Sequence, residues 1–103
     1  VIARAVATLP GDARVGIVAS GGLSHFLVDE ELDEEIFRAI RAKDADALRA
    51  LPRAKLNSGS SEIRNWICVA GAMEALDVSW TGYVPGIRTE AKTGTGLGFA
   101  LWS

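Results

Sequence analysis

Apolar positions fall into blocks whose spacing changes along the chain. The opening VIARAVATLP reads as the closing turns of a helix, broken by Pro10-Gly11-Asp12. Arg14-Val15-Gly16-Ile17-Val18-Ala19 is a short apolar run of the kind that makes a buried strand. It enters Ser20-Gly21-Gly22, where glycine lets the backbone turn sharply. Asp29 is a predicted helix N-cap, with Glu30 and Glu31 in the first turn where the dipole favours acids. Leu32, Ile36, Phe37 and Ile40 then share one face at helical spacing, and the acidic run Asp29 to Glu35 reads as the solvated face.

The pattern continues with a short helix from about Asp44 to Leu51, stopped by Pro52. Ser58-Gly59-Ser60-Ser61 is a loop leading into a helix over about 62–75, whose apolar face is Ile63, Trp66, Ile67, Ala70 and Met73. Val78 to Val84 reads as a strand closed by Pro85-Gly86. Gly96 to Trp102 reads as a last strand after a glycine-rich turn. Strands alternating with helices predict an α/β class, with about three strands and three to four helices.

Composition narrows the function classes. The chain has 103 residues, 49% of them hydrophobic, which is enough for one domain with a real core. Eleven basic and thirteen acidic side chains give a net charge of -2 with no basic stripe, so nucleic acid is not the expected partner. No apolar run approaches the length needed to span a bilayer, and no signal segment opens the chain, so a cytoplasmic location is expected. A single cysteine excludes an intrachain disulfide framework. Cys68, among Ile67, Val69 and Ala70, reads as a buried small hydrophobe.

Few residues can carry chemistry. His25 is the only histidine, and it follows the predicted strand at the end where open α/β sheets place their sites. Its imidazole suits proton exchange near neutral pH, or it is simply a hydrogen-bonded loop residue. Ser24 beside it lacks the nucleophile-elbow spacing and a second histidine to activate it, which excludes a serine hydrolase. Glu62 opens a helix, where it complements the dipole or serves as a hard-metal ligand beside a polar loop. Gly94-Thr95-Gly96-Leu97-Gly98 has the wrong spacing for a dinucleotide loop, and no helix follows to receive a phosphate.

Three strings taken together resemble a known family. Ser20-Gly-Gly-Leu-Ser-His25 with Val-Asp-Glu-Glu-Leu after it, Ser61-Glu-Ile-Arg-Asn-Trp66, and Gly94-Thr-Gly-Leu-Gly-Phe-Ala-Leu-Trp102 are similar to the C-terminal part of class III extradiol ring-cleavage dioxygenases. The type is that of the protocatechuate 4,5-dioxygenase beta subunit and its gallate and methylgallate relatives. The similarity runs from Arg14 to Trp102 in the family's order.

The resemblance implies that residues 1–103 are the C-terminal fragment of a single catalytic α/β domain, an expectation that the opening at Val1 also suggests. It implies that His25 is the active-site acid/base and that Glu62 is the carboxylate of a 2-His-1-carboxylate triad holding one Fe(II). Thr89 falls where relatives place a substrate-facing hydroxyl. The implied substrates are a catecholic acid and O2. A small alpha subunit or a second copy is the implied partner. Lys92 departs from the family's small-residue run before Thr93. The family's two histidine ligands have no counterpart here, so the chain by itself is expected to lack turnover and to bind Fe(II) weakly. Two other readings stay open: a non-catalytic binding or assembly module of the same fold, and a relative using Zn(II). Arg64 and Arg88 are candidates to pair with a substrate carboxylate, or with surface acids.

Overall fold

A computed structural model describes residues 1–103. In chain order it contains α1 (Ile2–Ala7), β1 (His25–Leu27), α2 (Glu30–Ala42), α3 (Ala45–Arg49), two 3-10 turns (Arg53–Lys55 and Ser58–Glu62), α4 (Ile63–Ala72), β2 (Val78–Ile87) and β3 (Thr93–Trp102). The three strands form one antiparallel sheet in the order β1-β3-β2, with helices against it. This is the expected mixture of helix and sheet, with three strands and four α-helices. No helix is long and apolar enough to cross a membrane.

The helices form where the apolar spacing places them. Asp29 caps α2 by accepting the Leu32 N–H at 3.0 Å, and Asp44 caps α3 by accepting the Ala47 N–H at 2.9 Å. Burial alone would raise the Asp29 pKa. The Leu32 N–H and the Lys55 ammonium outweigh it and hold the carboxyl below its ordinary value. From α2, Leu32, Ile36, Phe37 and Ile40 enter the core, where Leu23, Leu48, Leu51, Leu56, Ile63 and Trp66 meet them. Phe37 packs edge-on against Trp66 of α4 and Tyr83 of β2, each with ring centroids 5.8 Å apart. One aromatic thus ties both helices to the sheet.

The sheet differs from expectation in three places. Val15 to Ala19 belongs to no strand or helix, and no residue before Leu23 is buried. A trough of about 840 Å³ separates it from Leu97 to Trp102 of β3. An apolar run of that kind becomes a buried strand only when a partner supplies its hydrogen bonds, and none reaches it. His25 therefore opens a strand rather than following one. β2 continues through Pro85-Gly86 to Ile87, because Pro85 lies in an edge strand, where a missing N–H costs nothing to the ladder. The last strand begins at Thr93 rather than Gly96, so Thr93 to Thr95, expected as a glycine-rich turn, is strand. The hairpin turns at Arg88 to Lys92, where Lys92 takes φ 62°.

The glycines of β3 make its inner face thin. A Cβ on Gly96 would collide with the Asp33 carboxylate and meet Ser24 Oγ at 3.0 Å, so only glycine admits α2 this close to the sheet. Along the same strands the side chains pointing away from the helices are large. Trp80, Val84, Leu97, Phe99 and Leu101 are all exposed.

Candidate functional site

Two segments remote in sequence build the site. The loop Ser20–Gly22 is held by the start of α4: Asn65 Nδ2 donates to the Ser20 carbonyl at 3.0 Å, and Trp66 Nε1 donates to the Gly21 carbonyl at 3.2 Å. The Gly22 N–H in turn donates to Glu62 Oε2 at 2.8 Å. Gly21 sits at φ 114°, and any Cβ there would strike the Glu62 carboxyl group. Glycine is therefore needed at this position for backbone and space alike.

Glu62 is the last residue of a 3-10 turn and the N-cap of α4, yet its side chain caps no helix N–H. The carboxylate reaches the loop instead. Its Oε2 lies 3.2 Å from His25 Nε2. No hydrogen bond reaches Oε1, and the side chain is 41% exposed against 18% for His25. A free carboxylate oxygen facing solvent beside a half-buried imidazole is available to a cation or to a hydroxyl donor.

The backbone and the ring of His25 are both held. The backbone N–H donates to Ser60 Oγ at 2.8 Å, and ring Nδ1 lies 2.8 Å from the Leu23 carbonyl. A carbonyl oxygen can only accept, so Nδ1 donates its proton to Leu23, while Nε2 faces the Glu62 carboxylate, with which it can share a proton. Phe26, next in sequence, holds φ 45°. A bulky residue in the left-handed region costs about 1–3 kcal/mol and persists only where the surroundings determine it.

Behind the imidazole lies a buried polar cluster. Asp33 is 0% exposed and accepts three hydrogen bonds: from Ser24 N–H at 2.9 Å, from Ser24 Oγ at 2.6 Å, and from the Tyr83 hydroxyl at 2.6 Å. Ser24 Oγ also accepts the Asp29 N–H at 2.9 Å. No buried side-chain polar atom lacks a partner. Burial of Tyr83, reinforced by its hydrogen bond to Asp33, pushes the phenol well above its ordinary pKa.

His25 and Glu62, singled out from the sequence, are thus brought into contact. Thr89 is not brought to them. It is exposed in the β2–β3 turn, and its hydroxyl pairs with that of Thr93 at 2.7 Å. Arg64 and Arg88 are exposed and form no ion pair. The acidic run is not a uniformly solvated face, since Asp33 points inward. Its spacing of three, four and seven from Ile36, Phe37 and Ile40 is the signal that places it there. Cys68 is exposed rather than buried, because α4 turns Ile63, Trp66 and Val69 to the core instead.

No group of three or more His, Cys, Asp or Glu side chains is arranged to hold a metal ion. Comparison with family models, characterised proteins and solved structures finds no match for this chain.

Proposed function

We propose that this chain carries the acid/base and carboxylate side of an extradiol ring-opening dioxygenase site that cleaves a catecholic acid with O2. The observation that carries the reading is the pairing of His25 Nε2 and Glu62 Oε2 at 3.2 Å, with the opposite ring nitrogen already committed to the Leu23 carbonyl. An imidazole whose Nε2 can pass a proton to and from an adjacent carboxylate suits proton removal from a ring hydroxyl.

A complete Fe(II) site does not fit within these residues. Glu62 offers one carboxylate, and the sole imidazole is the group assigned to proton exchange, so the two further ligands of an iron triad have no donors here. They must come from another stretch of polypeptide. What this chain contributes is narrower. His25 Nε2 takes the proton of a catechol hydroxyl and later returns it to an oxygen of the opening ring. Glu62 Oε1 offers negative charge at the same mouth.

A non-catalytic assembly module is the second reading, and the bare apolar face of the sheet is the observation in its favour. The test is complementation. The chain is assembled with the N-terminal part of a class III extradiol dioxygenase that bears two histidines, then supplied with Fe(II), O2, and protocatechuate or gallate. Oxygen uptake and a ring-opened semialdehyde are expected from the assembly, and neither from the chain alone. An assembly that retains iron but consumes no oxygen with any catecholic acid would leave the module reading in place.

A further inference from the structure

The conformation of Phe26 gains the fold little. Its φ of 45° lies in the left-handed region, which a bulky side chain avoids. Burial does not offset that cost, because the residue is 65% exposed. Across the sheet it stands opposite Gly94, which has no side chain to cover it. The conformation has one visible result. Adjacent side chains of a regular strand point to opposite faces, yet the Phe26 and His25 rings lie edge to face, with centroids 6.4 Å apart and planes at 80°. The left-handed residue turns the phenyl ring to the imidazole's side of β1. Backbone closes on the imidazole elsewhere: a Cβ on Gly59 would collide with the His25 side chain, and one on Gly22 would stand 3.3 Å from its Cε1.

We infer that Phe26 is a ligand-binding residue, the surface against which the planar ring of a hydroxylated aromatic ligand stacks beside His25 and Glu62. The chemistry of the mouth selects that class. An exposed phenyl ring favours another π-system. Glu62 Oε1, which accepts no hydrogen bond from the chain, takes a hydroxyl donor. A hydroxylated aromatic satisfies both, whereas a saturated polyol satisfies only the second. Strain held at an exposed residue next to the imidazole belongs with binding rather than with folding. That the natural ligand is a catecholic acid rests on the dioxygenase reading, but the stacking surface is a property of this chain and needs neither iron nor O2.

The probes are gallate and shikimate, a trihydroxy acid of similar size whose ring is not aromatic. Each is titrated into the metal-free chain under nitrogen and followed by NMR of the phenylalanine rings. Gallate is expected to shift the Phe26 ring saturably and to show intermolecular NOEs to it, with shikimate bound at least about fivefold more weakly. Phe26→Leu, apolar but not aromatic, should weaken gallate binding about two- to tenfold, the equivalent of one aromatic pair. Phe26→Tyr should restore it. Phe26→Gly should weaken gallate at least as much while leaving the melting temperature unchanged or higher, since glycine tolerates this φ.

Unchanged gallate affinity in Phe26→Leu overturns the inference, and so does equal binding of gallate and shikimate. No saturable shift up to about 10 mM gallate, or saturation without NOEs to Phe26, also overturns it. A lowered melting temperature in Phe26→Gly would show that the ring serves the fold instead. Should Phe26→Leu fail to fold, the NOEs and the two-probe comparison on the native chain decide. Gallate held by Phe26 in a chain whose complemented assembly consumes no oxygen would keep this inference and end the dioxygenase reading. Oxygen uptake with KM for gallate unchanged in Phe26→Leu would do the reverse.

Discussion

The two faces of the sheet share the same strands and have opposite characters. Toward the helices, β3 presents Gly96, Gly98 and Ala100, and the space these small residues leave is filled by Leu23, Trp66 and the Asp33 carboxylate. Away from the helices the same two strands present Trp80, Val84, Leu97, Phe99 and Leu101 to solvent. Burial on the inner face leaves no freedom, and the ordered polar groups behind His25 depend on it. The outer face is apolar without being packed, so its side chains contribute little to the fold of this chain. A sheet with apolar residues on both faces is built to be covered twice.

The largest expected effect is on the inner face. Asp33→Ala leaves two Ser24 donors and the Tyr83 hydroxyl without a partner, and should cost about 3–5 kcal/mol in urea unfolding. A loss below about 1 kcal/mol would mean that water replaces the carboxylate and that this face is less dry than described. Gly96→Ala drives a methyl group into the same carboxylate and is expected to cost about 1–3 kcal/mol.

Tyr83 sharpens the comparison from the alkaline side. It is the only tyrosine, so phenolate absorbance reports on it alone. Its folded pKa is raised above the unfolded value of ~10. Its contribution is therefore fully present below that value and is lost as pH rises through the folded one. Phenolate should appear together with loss of native structure rather than before it. A phenol titrating near pH ~10 in a chain that stays folded would contradict the buried bond to Asp33.

The outer face should respond least in stability and most in association. Phe99→Thr with Leu101→Thr is expected to change unfolding free energy by under about 1 kcal/mol. The same pair should reduce concentration-dependent self-association in sedimentation, since an exposed apolar patch of this kind favours it. A large loss of stability with unchanged association would show that these side chains are packed after all.

What the sequence reveals divides along the same line. The caps Asp29 and Asp44 and the apolar faces of α2 and α4 are local signals, and the helices form where those signals stand. His25 and Glu62 were legible as a pair only through three family-like strings, because their residues lie far apart in the chain. Non-local pairing was not legible. The run Val15 to Ala19 has strand composition but no partner, whereas His25 to Leu27 is a strand because Thr93 to Thr95 pairs with it. The glycines of β3 resemble a turn in isolation and make sense only against the groups that approach them. Asp33 was hidden for a related reason. A charge within an acidic run reads as solvated until the three donors that hold it are brought together by folding.

The account turns on a division of roles between two side chains 3.2 Å apart. Its most direct test measures iron retention and ring opening side by side in the complemented assembly, for Glu62→Ala and for His25→Ala. Glu62→Ala should release the iron. His25→Ala should keep it while turnover falls by about 10²–10⁴-fold, the range for a lost general acid/base. Equal loss of iron in both variants, or full turnover without the imidazole, would contradict the assignment.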